Sequence, residues 1–119
     1  MALHQQLGKA GEEIAQAHLL SKDYTIIATN YRIGRLELDI VATKDDMLVI
    51  VEVRTRSTAW YQQPEATVDR RKMQHIASAA LGVVRWLRWQ GEIRFDIIAV
   101  VGPVDGNYQV DHFEDAFRP

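Results

Sequence analysis

The sequence predicts an α/β domain, a central mixed β-sheet flanked by helices, with its elements in the order α-β-β-β-α-β-β. Three observations carry this. Two stretches space their apolar residues at three and four, as a helix with one buried face does. Five short runs are β-branched or aromatic, as strands are. Glycine, proline and paired aspartates punctuate the intervals between them.

The first helix spans about Leu3 to Lys22, with Leu7, Ala10, Ile14, Ala17 and Leu20 as its apolar stripe. "YTIIATNYR" follows as a strand with a bend near Asn30. "LELDIVATKDDMLVIVEVRTR" (Leu36 to Arg56) reads as a hairpin, and "STAWYQQP", without periodicity, as a loop. Pro64 suits the first turn of a second helix, where a missing N–H costs nothing. That helix runs to about Trp89 with Met73, Ile76, Ala80, Val83, Val84 and Leu87 on its buried face. "GEIRFDIIAVVG" is a strand entered and left through glycine, and "NYQVDHF" a short last strand suited to a sheet edge. No repeat, linker or low-complexity segment divides residues 1–119, which are read as one domain.

Composition narrows the function. With 47% hydrophobic and 25% charged residues, the chain has the balance of an ordinary folded domain rather than a disordered one. It has no cysteine, which excludes disulfides, thiolate metal sites and a cysteine nucleophile, and fits a cytoplasmic location. No segment has the length of a membrane span, and the N-terminus lacks the pattern of a secretion signal. A net charge of -2 argues against coating nucleic acid through bulk positive charge. Local basic patches remain, in "RTR" (Arg54 to Arg56) and "DRRK" (Asp69 to Lys72).

The hairpin holds the chemistry. If Asp45-Asp46 is a two-residue turn, counting outward pairs Lys44 with Met47, Ala42 with Val49, Asp39 with Glu52, and Glu37 with Arg54. Side chains alternate between faces, so these four charged residues share one face, while Leu38, Ile40, Val51 and Val53 turn into an apolar layer. Opposed carboxylates destabilise a sheet unless compensated. Arg54 can neutralise part of the cluster, or a divalent cation can bind between Asp39 and Glu52, since hard cations take oxygen ligands. A solvated face of mixed charge is the plain alternative. "LVIVEV", however, is apolar enough for a central strand, which has no free solvated face.

These residues resemble a known family. An acidic residue, a hairpin and then Glu-x-Lys is the pattern of the PD-(D/E)XK nuclease superfamily, with its restriction-endonuclease-like fold. "GKAGEEIA", "NYRIGRLELDIVA", "LVIVEVRTR", "PEATVDRRK", "RFDII" and "HFEDAF" resemble, in order, segments of the YraN-like uncharacterised bacterial proteins, themselves similar to archaeal Holliday-junction resolvases. The resemblance covers nearly the whole chain. It implies that Asp39 and Glu52 hold Mg²⁺ or Mn²⁺ with the Val53 carbonyl, and that Glu12 points toward the metal. It also implies a homodimer. Arg54 stands where the superfamily has a lysine thought to position or activate the attacking water. Arginine stays protonated at any working pH and cannot act as a base, but it can grip a phosphate or stabilise developing charge.

Other residues are weighed against ordinary surface roles. Glu37 is read as the salt-bridge partner of Arg54. Arg32, Arg35, Arg56, Arg70, Arg71 and Lys72 are candidate phosphate contacts; the last three crowd a helix N-terminus, where cations are disfavoured unless anions come near. Trp60 and Tyr61 could stack on an unpaired base. Trp86 and Trp89 are expected to cap the core or join a subunit contact, and His18, His75 and His112 show no metal-ligand spacing. The expectation is a nucleic-acid-binding protein, a Mg²⁺- or Mn²⁺-dependent nuclease on structured DNA, branched or single-stranded, with RNA also open as a partner. The alternatives are a non-catalytic DNA- or RNA-binding module and a protein–protein adaptor.

Overall fold

The computed structural model describes residues 3–56, 69–103 and 106–119, with 3–7 by backbone alone. Its elements are α1 (Leu3–Ser21), β1 (Thr25–Ile33), β2 (Leu36–Lys44), β3 (Met47–Arg56), α2 (Arg70–Leu87), β4 (Glu92–Val101) and β5 (Gln109–Phe113). The order is the expected one. The five strands form one sheet in the order β1-β2-β3-β4-β5, antiparallel except for the β3–β4 pair. That parallel pair needs a long return connection, and α2 lies within it. No helix among the described residues is long and apolar enough to cross a membrane.

β3 organises the packing. Residues Leu48 to Glu52 are all buried, because both faces of this central strand are covered. A strand covered on both faces carries a continuous apolar run, as "LVIV" does. One face packs Leu38, Val41, Leu48, Ile50 and Ile97 against Ile76, Ala79, Ala80 and Val83 of α2. The other packs Ile40, Ala42, Val49, Val51 and Ile98 against Ala15 and Leu19 of α1.

Both helices differ in detail from their sequence reading. Ala17 and Leu20 of α1 are exposed; Gly11, Ala15 and Leu19 face the sheet instead. Small residues at a four-residue spacing let α1 approach β3 closely. A Cβ on Gly11 would collide with the Thr55 side chain. Described α2 starts at Arg70, capped by Asp69, whose Oδ1 accepts from the Lys72 N–H at 2.9 Å. Pro64, Trp60 and Tyr61 lie outside the described residues. The helix ends at Leu87 rather than Trp89, because Arg88 takes a left-handed conformation. Trp89 packs against the core and donates its indole N–H to the Glu92 carbonyl at 2.9 Å. Trp86 is 54% exposed and stacks on Tyr31.

Gly11→Ala tests the α1–β3 contact. Alanine is the better helix former, so an open site would gain stability. Here the β-branched Thr55 cannot easily yield, and we expect a loss of about 1–3 kcal/mol. Urea unfolding should show it, with Thr55→Ala recovering part of the loss in the double variant.

Candidate functional site

The β2–β3 register confirms the two-residue turn. Lys44 pairs with Met47, Ala42 with Val49, and Ile40 with Val51, where the recorded pairing ends. Asp45 takes a positive φ of 55°, which aspartate tolerates better than most residues. By the same count Asp39 and Glu52 come next, but they do not simply continue the ladder. The Val53 N–H donates to Asp39 Oδ2 at 2.8 Å. A side-chain oxygen thus serves where a strand carbonyl would.

The side-chain phase of the sheet changes at this point. Asn30 falls opposite Asp39, between the pairs Thr29–Ile40 and Tyr31–Leu38. Ile40 faces the α1 layer, yet Leu38 and Tyr31 face the α2 layer. Strict alternation would put Leu38 with Ile40, as the sequence reading did. Asn30, with φ 50°, supplies the bend that re-phases β1. Leu38 therefore leaves the layer that keeps Ile40, Val51 and Val53.

The same change breaks the expected Glu37–Arg54 bridge. Glu37 pairs across with Arg32, whose Nε lies 3.3 Å from Glu37 Oε2 on an exposed surface. Arg54 instead turns to Glu52, with Nη1 3.8 Å from Oε1, and donates to the Val53 carbonyl at 3.2 Å. A cation ligated by that carbonyl would have to share it with, or displace, the guanidinium.

Glu52 is the chemical centre. It is only 1% exposed, and Lys72 reaches it from α2 with Nζ 3.5 Å from Oε1. Its other oxygen, Oε2, is buried and has no hydrogen-bond partner among the described residues. Burial, then the charge of Asp39, push the Glu52 carboxyl up to about 7, although Lys72 and Arg54 oppose the shift. Burial also raises Asp39, against the Val53 N–H and the two cations. Glu12, on α1, is raised by burial and then by Asp39, while the Asn30 side chain opposes the shift. Glu12, Asp39, Glu52, Arg54 and Lys72 are thus brought into one electrostatic cluster from two helices and two strands.

The remaining basic residues spread outward. Arg35 sits exposed in the β1–β2 turn, Arg56 half-buried at the end of β3, and Arg70 and Arg71 exposed on the first turn of α2.

The pair fits a hard cation. Glu52 Oε2 has no hydrogen-bond partner among the described residues, and a buried carboxylate sustains its charge only at a cost unless a donor or cation reaches it. Among the described residues no group of three Asp, Glu or His side chains could hold a metal. Mg²⁺ and similar ions, however, are commonly held by one or two carboxylates together with waters and substrate phosphates.

A second polar cluster escaped the sequence reading. On β4, Asp96 is fully buried and accepts from Arg94 Nε at 2.9 Å and Nη2 at 2.8 Å. It also meets His112 Nε2 at 2.8 Å and the Asp115 N–H at 3.0 Å. Burial alone would raise Asp96, but these bonds outweigh it and hold the carboxyl below its ordinary range. Arg94 also bonds the Tyr24 hydroxyl, so the cluster ties the start of β1 to β4 and β5. The signal available was "RFD", which puts an arginine and an aspartate on one face of a strand.

Glu52 makes the metal-free fold pH-dependent. Its folded pKa lies above the ordinary 4.5, so the folded state keeps a proton that the unfolded state loses. This contribution is complete below about pH 4.5 and is lost as pH rises toward about 7. The shift amounts to about 3 kcal/mol at most. Glu52→Gln should therefore be more stable than the native chain by about 2 kcal/mol at pH 8, with the difference vanishing near pH 4.5. Denaturant unfolding across that range checks it.

The model of the uncharacterised protein family UPF0102 matches residues 11–100, which contain all five clustered residues. Over all of its length the chain is 46% identical to a UPF0102 protein of Bacteroides thetaiotaomicron, covering 98% of that relative. It is 39% identical to a UPF0102 protein of Parabacteroides distasonis, over 98% of this chain and 96% of the relative. With a UPF0102 protein of Porphyromonas gingivalis the identity is 44%, over 98% of this chain and 87% of the relative. Together with the YraN-like segments read along the sequence, these matches establish that the chain belongs to the uncharacterised protein family UPF0102.

Proposed function

We propose that this protein binds nucleic acid and hydrolyses phosphodiesters of structured DNA with Mg²⁺ or Mn²⁺. The observation that carries this reading is Glu52 Oε2, buried without a hydrogen-bond partner among the described residues, beside a second desolvated carboxylate and with two cations flanking the group. Asp39 and Glu52 would hold the ion, which when bound polarises a phosphoryl oxygen and makes water a better nucleophile.

The chain's own residues supply the rest. The Val53 N–H fixes the Asp39 carboxylate, so the pair is positioned before substrate arrives. Lys72 and Arg54 both place positive charge beside the carboxylate pair, in the region where the phosphate's negative charge would grow. In the hydrolysis, a water oxygen bonds to phosphorus as the bond to the leaving ester oxygen breaks. The water gives up one proton to solvent, and the leaving oxygen takes one back. Arg70 and Arg71, exposed on the first turn of α2, stand ready to meet flanking phosphates.

One observation favours a non-catalytic binding module instead: the arginine at position 54 is already bonded to the strand carbonyl beside it. The two readings differ in metal dependence. A binding module would keep its salt-sensitive affinity after divalent ions are removed.

The test is cleavage of branched, single-stranded and duplex DNA, with RNA alongside, in Mn²⁺ and Mg²⁺. We expect cleavage by the native chain that falls by at least about 100-fold in Asp39→Ala, as loss of a metal-holding carboxylate should cause. Equal cleavage by both proteins would mark a contaminant. No cleavage on any substrate would leave the binding module.

A further inference from the structure

Two cations flank Glu52, and they are not equivalent. The Arg54 side chain is 21% exposed, with Nη1 directed to the Val53 carbonyl at 3.2 Å and to Glu52 at 3.8 Å. That nitrogen is turned onto its own strand. The Lys72 side chain is 43% exposed, and its ammonium lies 3.5 Å from Glu52 Oε1. An ammonium has three donors. With one side toward the buried carboxylate and the other open, Lys72 can face Glu52 and a ligand at once.

The placement of Lys72 is also fixed. Its backbone N–H is held by Asp69 Oδ1 in the first turn of α2. That end of a helix carries partial positive charge, so a lysine there is unfavourable in isolation and favours an approaching anion. The Oε2 of the 1% exposed Glu52 beneath it, without a hydrogen-bond partner among the described residues, is a separate feature of the same site.

We propose that Lys72, arriving from α2, is the ammonium that holds the reacting phosphate, and that Arg54 is a positioning residue for Glu52 and Val53. The proposal rests on the nuclease reading above and names which side chain of that site touches substrate. Lysine at this place is a compact point charge on a flexible stem, able to follow the phosphate as its charge grows. Arg54, committed to a neighbouring carbonyl, holds the strand while Lys72 meets the substrate. The departure at position 54 is then answered from a different element of the fold.

The test compares Lys72→Met, Lys72→Gln and the exchange Lys72→Met/Arg54→Lys with the native chain, each checked by thermal unfolding. In Mn²⁺, either single variant should cut DNA about 100-fold more slowly. Mn²⁺ affinity, read by calorimetry, should stay within about threefold, because Lys72 is not a ligand. The exchange variant should recover at least about tenfold of the lost rate, since a lysine at position 54 can approach the same phosphate. Cleavage within about threefold of native in both single variants overturns the proposal.

A second readout needs no turnover. With Ca²⁺ replacing Mn²⁺, fluorescence anisotropy of labelled DNA should show both Lys72 variants binding about five- to tenfold more weakly, and Arg35→Met less affected. If the native chain cuts nothing, the nuclease reading fails and this arm alone decides the role of Lys72. A loss no greater than that of Arg35→Met overturns it; a larger loss sustains the phosphate contact.

Discussion

A carboxylate buried at the centre of a sheet is the constraint around which this structure is arranged. Glu52 lies on the central strand β3, in its fully buried run from Leu48, at a position where alternation calls for an apolar side chain. Desolvating an anion is costly, and a nearby second carboxylate adds to the cost. The fold answers with Lys72 from one layer and Arg54 from the strand itself, yet among the described residues one oxygen has no hydrogen-bond partner. Stability alone would be better served by leucine or glutamine. A cluster that raises carboxyl pKa values within a central strand is the kind of local cost associated with functional sites.

The surrounding fold shapes that cluster through backbone detail. A strict β2 strand would have continued its ladder past Ile40 and kept Leu38 in the α1 layer. The left-handed Asn30 and the Asp39 side-chain bond to Val53 re-phase both strands together, so Leu38 and Tyr31 enter the α2 core. Asp39 is thereby placed at the boundary of the two layers. It senses Glu12 from the α1 side and Lys72 from the α2 side. The close seat of Gly11 on Thr55 sets the height of α1, and hence of Glu12 beside it. One strand over, where Asp96 pairs with Val51, the Asp96–Arg94–His112 cluster is tied by hydrogen bonds to Tyr24 and the Asp115 N–H.

Much of this was legible in the sequence because it follows from periodicity. The element order followed from periodicity and residue type, the pairing from Lys44–Met47 to Ala42–Val49 from counting outward from an assumed two-residue turn, and a bend was read near Asn30. What escaped was whatever departs from periodicity. Counting past Ile40 assumed that alternation persists, so Leu38 was placed in the wrong layer and Glu37 opposite Arg54. The α1 stripe was misplaced because Gly11 and Ala15, which face the sheet by being small, carry no hydrophobic signal. Lys72 was read as an outward phosphate contact, since nothing local in "DRRK" shows that α2 brings its ammonium beside Glu52. The Asp96 cluster joins residues far apart in the chain, and only the fold brings them together.

The most direct measurement is calorimetric titration of the native chain with Mn²⁺ at pH 6.5, repeated in buffers of different ionisation enthalpy. If the Asp39–Glu52 pair is the seat of a cation, binding should saturate at one site. It should also release a substantial fraction of a proton, about half or more, as Glu52 is forced to ionise. Absence of saturable binding, or binding with no proton release that persists in Glu52→Gln, would contradict the account.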